Sequence, residues 1–233
     1  MTQPELKYRS SERELMDLPG VDVQEIHKAL HELKLINKWL GGNKVITSGL
    51  KELTLGVNDF SIVDIGCGGG DVLALIHKWG FNNRKNIKLA GIDINASIIA
   101  YASKNLNNIP GVKLFCSDVN KLPAGLKFDY STCTLFCHHF DDQEVVELIK
   151  VMYHISNRGV LINDIHRHWL AYHSIKYLTM LFSKTYLVKN DAPLSVARSF
   201  TLEDWKRILD KAGISNYKIS WKWAFRWQIV IRK

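Results

Sequence analysis

The chain lacks any apolar run near the roughly 20 residues that a membrane-spanning helix needs. Its opening residues, MTQPELKYRSSERE, are polar and charged where a secretory leader would be apolar. Cysteine is sparse and scattered: Cys67, Cys116, Cys133 and Cys137 fall in or beside predicted strands. Unpaired thiols without a leader point to a reducing compartment, and the expected location is cytoplasmic. There is no internal repeat and no low-complexity segment, so solenoids and disordered linkers drop out.

What remains is enough chain for one α/β domain with additions. With 233 residues, 46% of them hydrophobic, the chain can bury a sizeable core. The net charge of +8 invites a nucleic-acid reading, but the charges are spread. Arg84, Lys85 and Lys88, and the tail from Lys218 to Lys233, are the densest basic sites. A solvated surface explains them, and nucleic acid is not the expected partner.

Residues 61–71, SIVDIGCGGGD, carry the most information. Ile62, Val63 and Ile65 form a short apolar run around Asp64. Glycines follow at 66, 68, 69 and 70, and an apolar helical pattern starts at Val72. That order is strand, tight turn, helix. Glycine lets the backbone approach a ligand, and helix N-termini suit polar or anionic groups. A dinucleotide fingerprint would put glycine at 71, where this chain has Asp71.

From residue 61 onward strand and helix patterns alternate, which implies a mostly parallel sheet covered on both faces. Strands are expected over 61–65, 87–92, 112–116, 129–135 and 158–163. Helices are expected near 70–79, 95–107 and 142–156. Upstream, residues 1–20 read as a loose arm, and helical patterns over 22–40 and 44–53 form an N-terminal cap. Downstream, residues 166–188 are aromatic and apolar. Thr201 and Asp204 suit a capping box opening a helix that ends at Gly213. Segments 215–222 and 225–232 can pair as a terminal hairpin.

Two more acids complete a pattern. AGIDIN puts Asp93 at the second strand's tip, where a carboxylate can accept bonds from a ribose diol. The alternative is an N-cap for the helix that follows. LFCSDVNKLP puts Asp118 after the third strand, where it is either an adenine contact or a turn former.

The spacing D-x-G-x-G-x-G from Asp64 to Gly70 resembles motif I of the class I S-adenosylmethionine-dependent methyltransferases. FDYSTCTLFCHHFDD resembles their motif IV. Pieces such as INKWLGG, INDIHR and APLSVARSFT resemble a bacterial subfamily acting on small polyketide, phenolic-lipid or quinone-type molecules. The resemblance implies a Rossmann-like, seven-stranded sheet, mostly parallel with a C-terminal antiparallel hairpin. Helices would cover both faces, with an N-terminal helical cap over 1–57 and a helical lid insertion at 166–190 within a domain spanning 58–233. It implies S-adenosylmethionine as cofactor, leaving as S-adenosylhomocysteine. Asp64, Gly66, Cys67, Gly68, Gly70, Asp93, Ile94, Asp118, Val119 and Leu135 would hold it, with Asp64 bracing the turn.

Methyl transfer from a sulfonium is an in-line displacement, so the protein mainly aligns the partners. A hydroxyl acceptor gains from a base, and histidine has a suitable pKa. His139 is the expected base or acceptor-orienting group, with Asp164 or His166 as its partner and His138 beside it. A small aromatic or hydrophobic acceptor is expected, with O-methylation preferred. The alternatives are ring C-methylation or, further off, RNA methylation. The base-amino signature [DNS]-P-P-[YFW] is missing at motif IV. No metal is expected: Cys133, Cys137, His138 and His139 miss zinc spacing, and on a strand the two histidines would point apart. Trp169, Tyr172, Tyr177, Leu178, Leu181 and Phe182 would wall the acceptor, pack as core, or meet a membrane or second copy. The assembly would be a monomer or homodimer.

Overall fold

A computed structural model describes residues 6–123 and 125–233; residues 1–5 of the expected arm lie outside the described residues. The sheet holds seven strands: β1 (Asp59–Ile65), β2 (Asn86–Asp93), β3 (Lys113–Cys116), β4 (Phe128–Thr134), β5 (Ser156–Ile165), β6 (Tyr217–Lys222) and β7 (Arg226–Arg232). Their order is β3-β2-β1-β4-β5-β7-β6. The first five run parallel, and β7 pairs antiparallel with both β5 and β6. The sheet is the expected one, terminal hairpin included.

Helices α1 (Val23–Trp39), α2 (Gly42–Leu53), α3 (Asp71–Asn82) and α4 (Ala96–Asn105) precede α5 (Asp142–Ile155). Then come α6 (Trp169–Phe182), α7 (Tyr186–Arg198) and α8 (Leu202–Lys211). One sheet face packs on Ile46 and Leu50 of α2 and on Leu73 and Ile76 of α3. The other packs on Val145 and Ile149 of α5 and on Trp205 and Ile208 of α8. Thr201 and Asp204 form the reciprocal capping box expected for α8. A second box, Asp141 with Glu144, opens α5 directly after the histidine turn.

A third cluster joins distant segments into one cap: Ala29 of α1, Ala171 and Ile175 of α6, and Leu187, Val188 and Val196 of α7. Here the structure departs from two expectations. The arm is not loose over its described residues. Ser10 N–H donates to Ala197 O at 3.0 Å, and Glu14 is buried. The stretch 166–188 does not wall the cleft either. The small and branched side of α6 docks in the cap, which turns Trp169, Tyr177, Leu181 and Phe182 to solvent. Tyr172 packs on the cap cluster, and Trp39 at the end of α1 is exposed.

The strand order reverses at β1, flanked by β2 on one side and β4 on the other. Ligands in such sheets gather outside the carboxyl ends at this point. Ile65 pairs with Cys133, so the loops leaving β1 and β4 meet there.

Candidate functional site

A cleft of about 1390 Å³ opens at that reversal. Gly66, Gly68, Asp93, Ile94, Asp118, Val119, Phe136 and His139 line it from the sheet side. The arm, from Arg9 through Gly20, and Ile26, Leu30 and Leu33 of α1 line it from above. Asp64, Cys67, Gly70 and Leu135 belong to the same turns but stand behind this lining.

The glycine turn is built for close approach. Gly66 has φ of 66°, and a Cβ there would run into the Phe136 ring. Gly68 has φ of 50° with open space where a Cβ would stand. Such backbone angles strain any residue with a side chain. Asp93 ties the turn to β2: its Oδ2 accepts from Gly68 N–H at 3.1 Å, and its Oδ1 from Asn95 N–H at 3.0 Å. The cap of α4 is Asn95, not Asp93. Burial raises the Asp93 pKa, against the N–H bonds that lower it. Asp118 lines the cleft and also caps a short turn, accepting from Asn120 N–H at 2.9 Å.

Asp64 does not brace the turn as expected. Its Oδ1 is buried with no hydrogen-bond partner among the described residues. Burial and the Asp93 charge hold its pKa well above the usual carboxylate range. The Cys67 thiol is pushed up by burial, and Cys133 by its bond to Cys137 and then by burial, which suits packing rather than nucleophilic chemistry.

Leu135 has φ of 53° and donates its N–H to Asn163 O at 2.8 Å. This left-handed residue ends β4 and turns the chain into a 3₁₀ turn, Cys137–His139. On that turn the two imidazoles do not diverge as strand neighbours would. They stack, with centroids 4.6 Å apart and planes at 29°.

The histidines nonetheless differ. His138 is buried: its Nδ1 sits 2.6 Å from Asp164 Oδ1, and its backbone N–H donates to Asp164 Oδ2 at 3.1 Å. Burial would raise the Asp164 pKa, but the charge and hydrogen bond of His138 hold it below the usual range. His139 lines the cleft, with Nδ1 2.7 Å from Asp17 Oδ2. Burial works to lower the His139 pKa, but the Asp17 bond and the charges of Glu14, Asp17 and Asp164 push it up to about 9. In this arrangement His139 carries its proton at neutral pH, so it donates rather than accepts.

The expected partnerships change accordingly. Asp164 serves His138, and His139 is served by Asp17. His166 stands outside the cleft lining, packed on Trp227 at 4.7 Å, with burial lowering its pKa to about 4. Sequence reasoning missed Glu14, Asp17 and Arg198. Arg198 donates to His138 O at 2.9 Å, to His139 O at 2.6 Å and to Glu12 O. Local sequence gives Glu14 and Asp17 no role, because their partners lie far along the chain.

Residues 62–159 match a family model described as a methyltransferase domain. No curated protein sequence matches the chain. Among solved structures, it is similar to the plantazolicin methyltransferase BpumL in complex with SAH: 18% identity over 91% of this chain and 97% of that one, TM-score 0.61. It is similar to human N-acetylserotonin methyltransferase in complex with SAM: 16% identity over 95% and 63% of the chains, TM-score 0.64. Magnesium protoporphyrin IX methyltransferase from Synechocystis PCC 6803, with bound SAH, shares 17% identity over 83% of each chain, TM-score 0.56. At these identities the structures speak for the fold, while the family model covers the glycine turn, both acids and the histidine turn. Residues 62–159 therefore carry a methyltransferase domain, set on a fold shared with solved S-adenosylmethionine-dependent enzymes.

Proposed function

We propose that the chain methylates a hydroxyl oxygen of a small aromatic or hydrophobic acceptor, such as a phenolic polyketide or quinone precursor, with S-adenosylmethionine as donor. One observation carries this reading: the Asp93-braced glycine turn and His139 line the same cleft. The residues present fit the cofactor. Open space at Gly68 admits close backbone approach, Asp93 suits a ribose diol, and Asp118 with Val119 suits an adenine edge. When bound, the cofactor supplies the methyl carbon and a neutral sulfur leaving group.

The chain's own residues bind, orient and exclude water. Phe136, Ile94 and Leu33 give the cleft apolar surface, and the arm covers it. His139, holding its proton, directs an N–H at the acceptor oxygen. The similar structures named above are methyltransferases of magnesium protoporphyrin IX, plantazolicin and N-acetylserotonin, which supports a small-molecule acceptor here.

Thermal shift tests the donor. S-adenosylhomocysteine at 100 times its Kd adds about 2.7 kcal/mol. For a chain of this size that raises Tm by about 5–10 °C. A shift with NADH and none with S-adenosylhomocysteine would overturn the assignment. Labelled methyl transfer to a phenol panel, with RNA as competitor, tests the acceptor. Salt-sensitive labelling of RNA instead would sink the small-molecule reading.

A further inference from the structure

Glu14, His138 and His139 bring one ligating atom each to within 4.8 Å of one another. His138 Nε2 lies 3.6 Å from Glu14 Oε1, and His139 Nε2 lies 3.8 Å from Glu14 Oε2. Both gaps are too long for hydrogen bonds. They approach the spacing of about 3.2–3.6 Å between donors that each sit about 2.0–2.2 Å from one tetrahedral cation.

The far side of each ring is engaged. Asp164 holds Nδ1 of His138 at 2.6 Å, and Asp17 holds Nδ1 of His139 at 2.7 Å. A carboxylate on one ring nitrogen fixes the tautomer and raises the basicity of the other, the arrangement metal-binding imidazoles use. Because the rings stack, both Nε2 atoms face the same carboxylate. Charge points the same way. Three carboxylates surround two imidazoles and the Arg198 guanidinium, so a divalent cation on neutral imidazoles balances the group.

We infer that Glu14, His138 and His139 form a site for a first-row divalent cation, with Zn²⁺ as the reference species. Two imidazoles and one carboxylate suit such ions. Glu14 and His139 also line the cleft, which leaves a coordination position on that side for water or an acceptor oxygen. The cation's role rests on the methyl-transfer reading: it holds the acceptor hydroxyl and eases loss of its proton to water. With the cation bound, His139 is neutral and its Nε2 is a ligand, so the cation takes the place of the N–H that the protonated ring offers in its absence. No electron is gained or lost in this step.

Full-length protein, stripped with chelator, is titrated with ZnCl₂ by calorimetry, with S-adenosylhomocysteine thermal shifts run in parallel. One Zn²⁺ per chain is expected. His139→Ala and Glu14→Gln should each weaken it at least 100-fold. Asp164→Asn, which leaves all three ligands, should weaken it about 10–100-fold. Cys116→Ser, at the exposed thiol, should leave it unchanged. Retained circular dichroism shows that each variant folds. Absent uptake, uptake unaffected by His139→Ala, or uptake lost in Cys116→Ser overturns the inference. Zinc failure with an intact S-adenosylhomocysteine shift defeats this site alone. Loss of that shift in the unmodified chain defeats the cofactor reading.

Discussion

Asp93 divides its two oxygens between two jobs. One fixes the glycine turn through Gly68 N–H, and the other fixes the start of the next loop through Asn95 N–H. Carboxylate oxygens have further lone pairs, so a ribose diol can be added without breaking either bond. Asp93→Ala should therefore raise the Kd for S-adenosylhomocysteine more than tenfold, a loss above about 1.4 kcal/mol. Asp93→Asn keeps one acceptor oxygen and should lose less. Equal affinities for all three proteins, measured by calorimetry, would remove Asp93 from the cofactor site. The glycines and Asp93 were legible in the sequence because the turn and the strand tip are local. Glu14 and Asp17 were not, since Asp17 meets His139 across 122 positions. His138 and His139 were legible as a pair but not in their separate roles. Those depend on Leu135 taking φ of 53°, which no residue pattern announces.

At the scale of elements, the strands were readable because short apolar runs end at glycine or acid, as at Gly66, Asp93 and Asp164. Helix α7 was not, for two reasons. Pro193 sits inside it, where proline ordinarily ends a helix. Its buried side faces α1 and the arm rather than the sheet, so the usual one-sided pattern is blurred. The arm itself is held by side-chain pairing. Arg9 donates to Arg198 O, Phe140 O and Asp142 Oδ1, each at 2.7 Å. Charge-assisted bonds of this kind contribute about 1.5–3 kcal/mol each. Removing all three in Arg9→Ala should open residues 10–17 locally without melting the sheet. Hydrogen exchange there should quicken at least tenfold while β1 and β4 amides keep their protection. Unchanged exchange in the arm would mean that its backbone bond to Ala197 and the buried Glu14 suffice to hold it.

For the whole molecule, the net charge of +8 governs solubility and steering, while buried titrating groups govern stability against pH. His166 is the clearest case away from the cleft. Burial, then the charges of His168 and Arg167, lower its pKa to about 4, with Glu203 opposing. The unfolded chain binds that proton at about 6.5. The sign follows: the folded state refuses a proton that the unfolded state accepts, so acid favours unfolding. The stabilisation from neutral His166 is complete above about pH 6.5 and is lost as pH falls toward 4. Allowing for partial exposure, the loss is of order 2 kcal/mol, or about 4–8 °C in Tm for a chain of this length. The carboxylates with lowered pKa values, Asp17, Asp142, Asp164 and Asp204, act in a separate window. Their stabilisation is present above their unfolded value of about 3.9 and disappears only below it. Loss between pH 6.5 and 4 is thus separable from ordinary acid unfolding. His166→Phe keeps an aromatic ring against Trp227 and removes the proton site. Its Tm should decline less between pH 6.5 and 4.5 than that of the unmodified chain. Parallel declines in the two proteins would assign the acid sensitivity to another group.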